Sequence, residues 1–580
     1  MGFIAKLNWF FRERWKSYAL SIVLIMADFT LGMVPPIIIG RFVDQVGSGQ
    51  LTWGELHVLV WILVALAIVV YLISVLWVNT LFRNSIRVER ELRTRLLSHL
   101  LKMTPTFFQR NRRGDLMAQA TNDIRAVNEA SGYGIMTIVH TVVGGTLTLT
   151  MLFWVGGWKL TLLTLLPMPL ISVAMKKLGA MMHKRFHAAQ EAFGALNDRT
   201  LESISGVRVI RAYGQEQPDF DAFERVAEDA RRKNVEVAVV YSLFQPVITF
   251  VVGLCFTVGI GFGAWLVIQG ELTLGNLISF NMYLGFLIWP MIAFGEFINV
   301  WQRGNASIDR IQATLVQEPD VKEEPHVRYD VQPGTIEWRN LTFRYPGADH
   351  DSLQEITLRL EAGQTLGIVG KTGSGKSTLL KTLLKQYPID AGRVWIGGVP
   401  IEEIASERLR SWIGYVPQEH LLLSRTIREN ICLGAPDAHE EQIRHVVRLA
   451  SLEQDLAQMP DGLDTLIGEN GLMLSGGQKQ RIGIARALII DPEILILDDA
   501  LSAVDARTEK AILTHIRAER LGKTTLIVTH RLSAVQHADH ILVLEDGKIM
   551  EEGKHEQLMQ KGGWYKEQYE YQQMEETLEA

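Results

Sequence analysis

Six long apolar stretches in the first 300 residues constrain the fold of this chain more than any other feature. Each is long enough to cross a bilayer core as a helix, which takes about 20 residues. A helix is expected because lipid offers no hydrogen-bond partner to an exposed backbone group. The first half of the chain is therefore predicted to be an all-α, six-helix membrane domain. The stretches are Tyr18–Ile39, Val58–Phe82, Tyr133–Trp154, Leu160–Gly179, Val237–Ile268 and Leu272–Gly295.

Basic residues predict the orientation of these spans, because Lys and Arg concentrate on the cytoplasmic side of a membrane. Lys and Arg precede the first span and follow the second, whereas the connection Asp44–Glu55 contains neither. Six crossings then return the chain to the cytoplasm near Arg303. Both termini are predicted to be cytoplasmic, in a multi-pass protein of the lipid bilayer.

Two polar segments separate the spans and have helical periodicity: Arg83–Asn128 and Met181–Glu236. Spans that continue as helices beyond the bilayer are expected to hold these segments in the cytoplasm. Their predicted tips are Gly114–Asp123 and Val207–Gln217. The formal net charge of −6 provides no basic field for a polyanion, so no nucleic-acid partner is expected.

A glycine-rich segment predicts a nucleotide site in the second half. The apolar run Leu366–Val369 leads into Gly370-Lys371-Thr372-Gly373-Ser374-Gly375-Lys376-Ser377-Thr378 and then into a helical pattern. The glycines allow consecutive N–H groups to surround a phosphate at the positive end of a helix. Lys376 is expected to reach the terminal phosphates, and Ser377 to supply an oxygen to Mg²⁺. ATP and Mg²⁺ are the predicted cofactors.

Two further motifs follow the glycine loop. Ile494–Asp498 is a buried-strand pattern that ends in a carboxylate, as expected for the residue that holds the Mg²⁺ shell. Between the two motifs stands Leu474-Ser475-Gly476-Gly477-Gln478, whose composition predicts a turn that enters a helix.

These motifs occur in the order found in ABC-transporter ATPase domains: glycine loop, Gln418 after a strand, the LSGGQ segment, an Asp pair at a strand end, and His530. With six spans ahead of them, the chain resembles an ABC exporter half-transporter over nearly its full length. It is most similar to one subunit of the bacterial multidrug exporters that work as heterodimers.

The resemblance implies a type I ABC exporter fold followed by an α/β P-loop ATPase domain. The implied boundaries are residues 1–316 for the membrane domain, 317–334 for a linker, 335–572 for the ATPase domain and 573–580 for a tail. The implied activity is ATP-driven export of amphipathic small molecules, multidrug or lipid-like. The implied partner is a second half-transporter, and the location is the cytoplasmic membrane of a bacterium.

The resemblance also implies roles for single residues. Tyr345 matches the aromatic residue that stacks on adenine, and Gln418 matches the residue that senses Mg²⁺ and the γ-phosphate. Asp505 matches the loop that communicates across the dimer, and His530 matches the switch histidine. Leu474–Gln478 matches the signature that binds ATP held by the other subunit, and the two polar tips match coupling helices. The implied Mg²⁺ ligands are Ser377, Gln418 and Asp498.

One position departs from the family pattern. Asp499 stands where these ATPases usually place the glutamate that polarises the attacking water, and its side chain is one methylene shorter, roughly 1.5 Å. Misplacement of about 1 Å in an active site costs on the order of 100-fold in rate. Asp499, Gln418 and His530 are the predicted catalytic residues, but hydrolysis at this site is expected to be slow. The intact signature then favours an asymmetric heterodimer, with a slow homodimer as the alternative.

Ionisable groups inside the spans are candidate cargo contacts, because a charge in lipid is costly without a partner or water. Asp28 and Glu296 qualify, with His140 as a weaker third. Four aromatic residues give the last span a face that could contact cargo, although such stripes more often serve helix packing: Phe280, Tyr283, Phe286 and Trp289.

Two other functions stay open at this stage. One is a non-transporting regulatory subunit that only senses ATP, which Asp499 supports and the six spans oppose. The other is a homodimeric exporter of peptide or lipid.

Overall fold

The computed structural model describes residues 2–49, 51–322, 326–468 and 474–579. Its contacts divide the chain into two compact units. The first consists of residues 1–98 with 114–316, and the second of residues 99–113 with 317–580. The first unit ends at Val316, and a short internal segment of the first half groups with the second unit.

The first unit is helical throughout. Long helices form because the apolar runs satisfy their backbone groups internally. A continuous run from Arg113 to Leu165 includes three π-helical turns, at Gln119–Asp123, Ala130–Gly134 and His140–Gly144. The other helices are Phe3–Lys6, Asn8–Gly32, Val34–Gly47, Trp53–Leu100, Met168–Ala212, Glu216–Ser242, Phe244–Ile268, Leu274–Phe286 and Ile288–Leu315.

Within the described residues, five helices are long and apolar enough to cross a membrane. One of them, Arg113–Ala212, contains both the third and the fourth predicted spans. Gly157 interrupts it with φ +68° and ψ 173°, which is not helical backbone. Thr161 Oγ1 donates to the carbonyl of Leu152 at 3.0 Å. In a straight helix two residues nine positions apart would be separated by about 13 Å. The chain therefore folds back at Gly157, and six crossing segments result.

The predicted polar segments are helical, as their periodicity indicated. Helix Trp53–Leu100 continues well past the second span, and helices Met168–Ala212 and Glu216–Ser242 contain most of the second polar segment. The turn between these two helices is Tyr213–Gln215, where Gly214 has φ +63°. It lies inside the predicted tip Val207–Gln217.

The predicted position of the first tip is wrong. Residues 114–123 belong to the first unit, here called the membrane unit, and the segment that groups with the second unit is 99–113, with its own helix Pro105–Arg110. Thr104 precedes that helix and Pro105 opens it, a start signal that the sequence contains. Gln109 Nε2 donates to the hydroxyl of Tyr387 at 3.1 Å, so this helix contacts the rest of the second unit.

Two sheets organise the second unit. The four-stranded antiparallel sheet has the order β2-β1-β4-β5, and the six-stranded sheet has the order β10-β9-β3-β8-β7-β6. In the larger sheet all neighbours are parallel except β10 and β9. The strands are β1 Ile336–Phe343, β2 Leu353–Leu360, β3 Thr365–Gly370, β4 Val394–Ile396, β5 Val399–Pro400, β6 Ile413–Val416, β7 Ile494–Asp498, β8 Thr524–Val528, β9 His540–Glu545 and β10 Lys548–Gly553.

Helices cover the larger sheet, and the central strands β3, β7 and β8 are almost continuously buried, as expected for a parallel sheet covered on both faces. The last helix, Trp564–Glu579, runs through residue 573, where the tail was expected to begin. The longer helices of the second unit are Lys376–Leu383, Ser406–Trp412, Glu440–Leu449, Gly476–Leu488, Ala506–Glu519, His555–Lys561 and Trp564–Glu579.

Two glycines permit a close helix crossing in the membrane unit. A Cβ on Gly275 would collide with the carbonyl oxygen of Gly40, and a Cβ on Gly40 would collide with Ser279 Oγ. Asp44 accepts a hydrogen bond from the backbone N–H of Gly275 at 2.7 Å. Helices Val34–Gly47 and Leu274–Phe286 therefore touch through their backbones, as is common where small residues line a membrane interface.

We predict that Gly275→Leu lowers the stability of the purified protein by about 1–3 kcal/mol, because the larger side chain forces the two helices apart. The midpoint of thermal unfolding in detergent measures the effect. Gly253→Leu is the matched control, since a Cβ there meets no atom within 4 Å. Equal midpoints for the two variants would contradict the close crossing.

Candidate nucleotide site

Four sequence motifs meet at one edge of the six-stranded sheet. The glycine loop follows β3, Gln418 follows β6, Asp498 ends β7, and His530 follows β8. The carboxyl ends of parallel strands lie on the same side, which is where ligands bind in open α/β sheets. Topology therefore gathers residues that are separated by more than 100 positions in the sequence.

The backbone of the glycine loop adopts φ values that cost conformational energy for residues other than glycine. Gly370, Gly373 and Gly375 have φ values of +144°, +84° and +98°. A Cβ on Gly375 would lie 2.6 Å from the carbonyl oxygen of Ser352. Ser374 Oγ is buried and has no hydrogen-bond partner among the described residues. An orphaned hydroxyl inside the loop fits a phosphate ligand.

Lys376 lies within this loop rather than in solvent. Its ammonium donates to the carbonyl oxygens of Gly370 at 2.8 Å and Lys371 at 2.7 Å, and the residue is 6% exposed. Burial lowers the pKa of the ammonium, and the carboxylates of Asp499 and Asp498 oppose that shift. The cation is thus held inside the glycine loop by two carbonyl oxygens of the loop itself.

Ser377 and Asp498 are hydrogen-bonded directly. Ser377 Oγ donates to Asp498 Oδ1 at 2.7 Å, and Asp498 is 2% exposed. Burial raises the pKa of Asp498, and the hydrogen bond from Ser377 opposes the rise. No cluster of three or more His, Cys, Asp or Glu that could hold a metal occurs in the described part of the chain. One hydroxyl and one carboxylate fit Mg²⁺, which commonly completes its shell with phosphate oxygens and water.

Asp499 has a constrained backbone. Its φ is +50°, in the left-handed region that few residues other than glycine adopt, and its N–H donates to the carbonyl oxygen of Val528 at 2.9 Å. Because β8 holds this peptide in place, the chain has little freedom to advance the short carboxylate. The sequence did not indicate His420, which lies near Asp499. Burial lowers the pKa of the His420 imidazole, and the charge of Asp499 opposes part of that shift.

Tyr345 belongs to an aromatic cluster beside the loop. Its hydroxyl is hydrogen-bonded to Thr378 Oγ1 at 3.0 Å, and its ring meets that of Tyr387 edge to face at 4.9 Å. The Lys381 ammonium lies 5.8 Å from the ring centre. The predicted adenine-stacking residue therefore contacts the helix that follows the glycine loop.

The signature begins a helix and packs against the loop that carries Asp505. Ser475 accepts a hydrogen bond from the N–H of Gln478, and Gln478 accepts one from the N–H of Ser475, a reciprocal cap. A Cβ on Gly477 would lie 2.9 Å from the carbonyl oxygen of Ala503. Gln480 also accepts from the N–H of Ala503 at 2.9 Å. The start of the signature helix is therefore in direct contact with this loop.

The remaining predicted residues are placed as follows. Asp505 accepts from the N–H of Thr508 at 3.0 Å at the start of helix Ala506–Glu519, and this bond lowers the pKa of Asp505. Gln418 and His530 are exposed. Among the described residues, no hydrogen bond or ion pair joins the signature Leu474–Gln478 to the glycine loop. The signature and the glycine loop are therefore not directly bonded to each other in the described part of the chain.

The membrane unit holds the predicted intramembrane charges between helices. Asp28 accepts from Ser74 Oγ at 2.8 Å and from Trp77 Nε1 at 3.3 Å. The ring of His140 packs against Trp77 at 5.6 Å, and both of its nitrogens are buried without a partner among the described residues. Glu296 accepts from the hydroxyl of Tyr133.

The four aromatic residues of the last span do not share one open face. Phe280 and Tyr283 are fully buried; Phe280 packs against Gly156, and the Tyr283 hydroxyl donates to the carbonyl of Met33. Phe286 and Trp289 are exposed, and a break near Leu287 separates Phe286 from the helix that carries Trp289. The expectation of a single cargo face is therefore wrong for Phe280 and Tyr283, which serve helix packing.

Comparisons with known proteins match both units. The family model described as "ABC transporter transmembrane region" matches residues 18–291, and the model described as "ABC transporter" matches residues 353–502. A probable multidrug resistance ABC transporter ATP-binding/permease protein of Bacillus subtilis (strain 168) is 50% identical, covering 98% of each chain. A multidrug resistance-like ATP-binding protein of Escherichia coli (strain K12) is 42% identical, covering 100% of this chain and 98% of its own length.

Two further likenesses extend over nearly the whole chain. An ATP-dependent lipid A-core flippase of Thiobacillus denitrificans is 32% identical, covering 96% of this chain and 95% of its own length. The solved structure of a bacterial Atm1-family ABC exporter with ATP bound superimposes with a TM-score of 0.76 at 26% identity, covering 97% of this chain and 98% of that one.

We predict that Lys376→Ala weakens ATP binding to this chain by about tenfold or more, because a charge-assisted hydrogen bond contributes roughly 1.5–3 kcal/mol. Photolabelling of the chain by an azido-ATP analogue measures binding. Lys548→Ala, at an exposed lysine at the start of β10, is the control and should label normally. Equal labelling of both variants would overturn the assignment of the glycine loop.

Proposed function

Because this chain belongs to the ABC exporter half-transporters, whose membrane-spanning region and ATPase domain share one polypeptide, we propose that it exports amphipathic small molecules as one half of a heterodimer. The likeness to the bacterial exporter structure confirms the type I fold that the sequence predicted. The carrying observation is the site at the sheet edge, where Lys376 lies in the glycine loop and Ser377 is bonded to Asp498. That geometry suits a bound triphosphate in a chain with membrane-spanning helices.

In this proposal the chain's own residues bind and orient Mg-ATP. Lys376 neutralises the terminal phosphates, the loop N–H groups bind their oxygens, and Ser377 and Asp498 hold Mg²⁺, which spreads the developing charge of the phosphoryl group. Tyr345 stacks on adenine, and Gln418 and His530 contact the γ-phosphate region. The signature of the partner, facing this loop across the dimer, completes the site.

The proposed asymmetry rests on two observations. Ser475 forms an intact, doubly bonded cap at the start of the signature helix, so the signature is ready to bind the γ-phosphate of the partner's ATP. Asp499 by contrast sits on a peptide fixed to Val528, with a side chain one methylene short. The chain thus contributes more to its partner's site than to its own.

Asp28 and Glu296 are the proposed cargo contacts. Asp28 lies in the first span and Glu296 directly follows the last. Both accept hydrogen bonds only from neutral donors among the described residues, Ser74 and Trp77 for Asp28 and Tyr133 for Glu296. A carboxylate in lipid with no cationic partner favours a cationic cargo. Phe286 and Trp289, which are exposed, add apolar surface in the last span.

The proposed location is the cytoplasmic membrane of a bacterium, with both termini in the cytoplasm. The support is the distribution of Lys and Arg around the first two spans. One ion pair fits this arrangement: Lys159 and Glu271 lie in the connections after the third and fifth spans and meet at 3.1 Å, as expected if both connections are external.

A second candidate function is a regulatory subunit that binds ATP without transporting. Asp499 is the observation that favours it, because a slow site can act as a sensor. Transport itself distinguishes the two candidates, and the nature of the cargo distinguishes a drug exporter from a lipid exporter.

We predict that inverted membrane vesicles containing this chain and its partner accumulate a cationic dye when Mg-ATP is added. Asp28→Asn should lower the rate of uptake about tenfold, because one charged hydrogen-bond acceptor is lost. Azido-ATP labelling of the same vesicles should be unchanged. Vesicles without the chain are the control. A chain that labels with ATP but transports neither dye nor fluorescent lipid would support the regulatory candidate instead.

We predict that Ser475→Arg abolishes most ATPase turnover of the complex, at least about tenfold, because a bulky cation occupies the position of the γ-phosphate. Asp499→Asn should lower turnover less than about twofold, because the carboxylate it removes already lies too far from the attacking water. Steady-state hydrolysis at saturating Mg-ATP measures both. Equal losses would require two equivalent sites, as in a homodimer.

A further inference from the structure

The last helix of the chain contacts the segment that carries the switch histidine. We call Thr529–Leu532 the switch segment. Gln572 Nε2 donates to the carbonyl oxygen of His530 at 2.7 Å, and Gln572 Oε1 accepts from the N–H of Leu532 at 2.8 Å. One side-chain amide therefore bonds two backbone groups of the switch segment at once, and we call this pair of hydrogen bonds the clamp.

These two backbone groups need an external partner. Thr529 is the last residue of this segment that donates to β3, with its N–H 3.3 Å from the carbonyl oxygen of Ile368, and the chain then leaves the sheet. A 3-10 helix then starts at Leu532, and the first N–H groups of a helix have no partner within it. Leu532 is fully buried, which makes an unpaired N–H costly. Gln572 supplies the missing donor and acceptor.

The helix that carries Gln572 is anchored on the same face. Tyr565 is fully buried and its hydroxyl lies 2.8 Å from His555 Nδ1, and the Tyr569 hydroxyl donates to Gln536 at 3.0 Å. Residues 565, 569 and 572 are spaced i, i+4 and i+7, so they form one stripe of the helix. That stripe aims the amide of Gln572 at the switch segment.

The other side of the switch segment is tied to the loop of Asp505. Arg531 Nη1 donates to the carbonyl oxygen of Val504 at 3.2 Å and forms an ion pair with the buried Glu509. The N–H of Arg531 also donates to Thr529 Oγ1 at 3.0 Å. With Arg531 on one side and Gln572 on the other, the backbone of His530 is held while its side chain remains exposed.

We propose that Gln572 is a positioning residue that sets His530 for its contact with the γ-phosphate region, so that the last helix belongs to the ATP site rather than to a tail. The inference rests on the proposed function of His530. Loss of the Gln572 side chain should impair turnover at this site. It should leave ATP binding intact, since Tyr345 and the glycine loop form no hydrogen bond with the last helix among the described residues.

Hydrogen–deuterium exchange tests the contact itself in the full-length complex. In Gln572→Leu, the peptide covering residues 529–536 should exchange at least about threefold faster, because the Leu532 N–H loses its acceptor. Gln573→Leu is the matched control: the same substitution one residue along, at a side chain that donates to Tyr569. Unchanged exchange in Gln572→Leu would refute the clamp.

Kinetics test the positioning role. An Asp499→Glu chain lengthens the carboxylate and should make this site turn over. In that background, Gln572→Leu should lower kcat roughly threefold to tenfold with KM for ATP within about twofold. Adding Gln572→Leu to His530→Ala should lower kcat no further, because the glutamine acts through the histidine. Additive losses of kcat in the double variant would show that Gln572 has only a structural role. An unchanged kcat in Gln572→Leu despite faster hydrogen exchange would show the same.

The outcomes also separate this inference from the proposed function. If Asp499→Glu fails to raise turnover, the asymmetric dimer loses its support. The exchange result and the kcat of Gln572→Leu in the unmodified chain then still decide the role of the clamp. If Asp499→Glu raises turnover and Gln572→Leu changes nothing, the asymmetry stands and the clamp is rejected.

Discussion

The parallel register of β3, β8 and β7 is the constraint on which the ATP site depends. Val528 pairs with Ile368 on one side and with Asp498 on the other. The strand ends are thereby aligned, so the glycine loop, the two carboxylates and the switch segment leave the sheet at one edge. A shift of one residue in the pairing of these strands would separate Ser377 from Asp498. It would also break the hydrogen bond between Asp499 and Val528.

A second constraint acts in the membrane unit, where the lipid supplies no hydrogen-bond partner. Helices satisfy the backbone, and small residues such as Gly40 and Gly275 let helices meet without trapping polar groups. Some of the polar side chains that remain are bonded to one another, as Asp28 is to Ser74, whereas both nitrogens of His140 have no partner among the described residues. Such groups are costly in lipid, which is the reason that Asp28 and Glu296 are the proposed cargo contacts.

Much of the fold and of the site could be predicted, because the relevant signals are local. Spans depend on runs of apolar residues, and the glycine loop depends on consecutive residues between a strand and a helix. Errors arose where position depends on distant partners. Residues 114–123 have the same helical periodicity as a tip, yet Thr104-Pro105 starts the helix that contacts the ATPase unit. Phe280 and Tyr283 form a stripe whose burial is decided by neighbouring helices, among them the one that carries Gly156.

The sequence by itself determined the six apolar spans, the glycine loop with Lys376, the signature at Ser475 and the short carboxylate at Asp499, since each is a property of residues close together in the chain. Only the tertiary structure decided that Ser377 is bonded to Asp498, that Asp499 is fixed to Val528, and that Gln572 spans the backbone of the switch segment. These contacts join residues about 30 to 120 positions apart, and their geometry follows from strand register and helix packing, which no local pattern specifies.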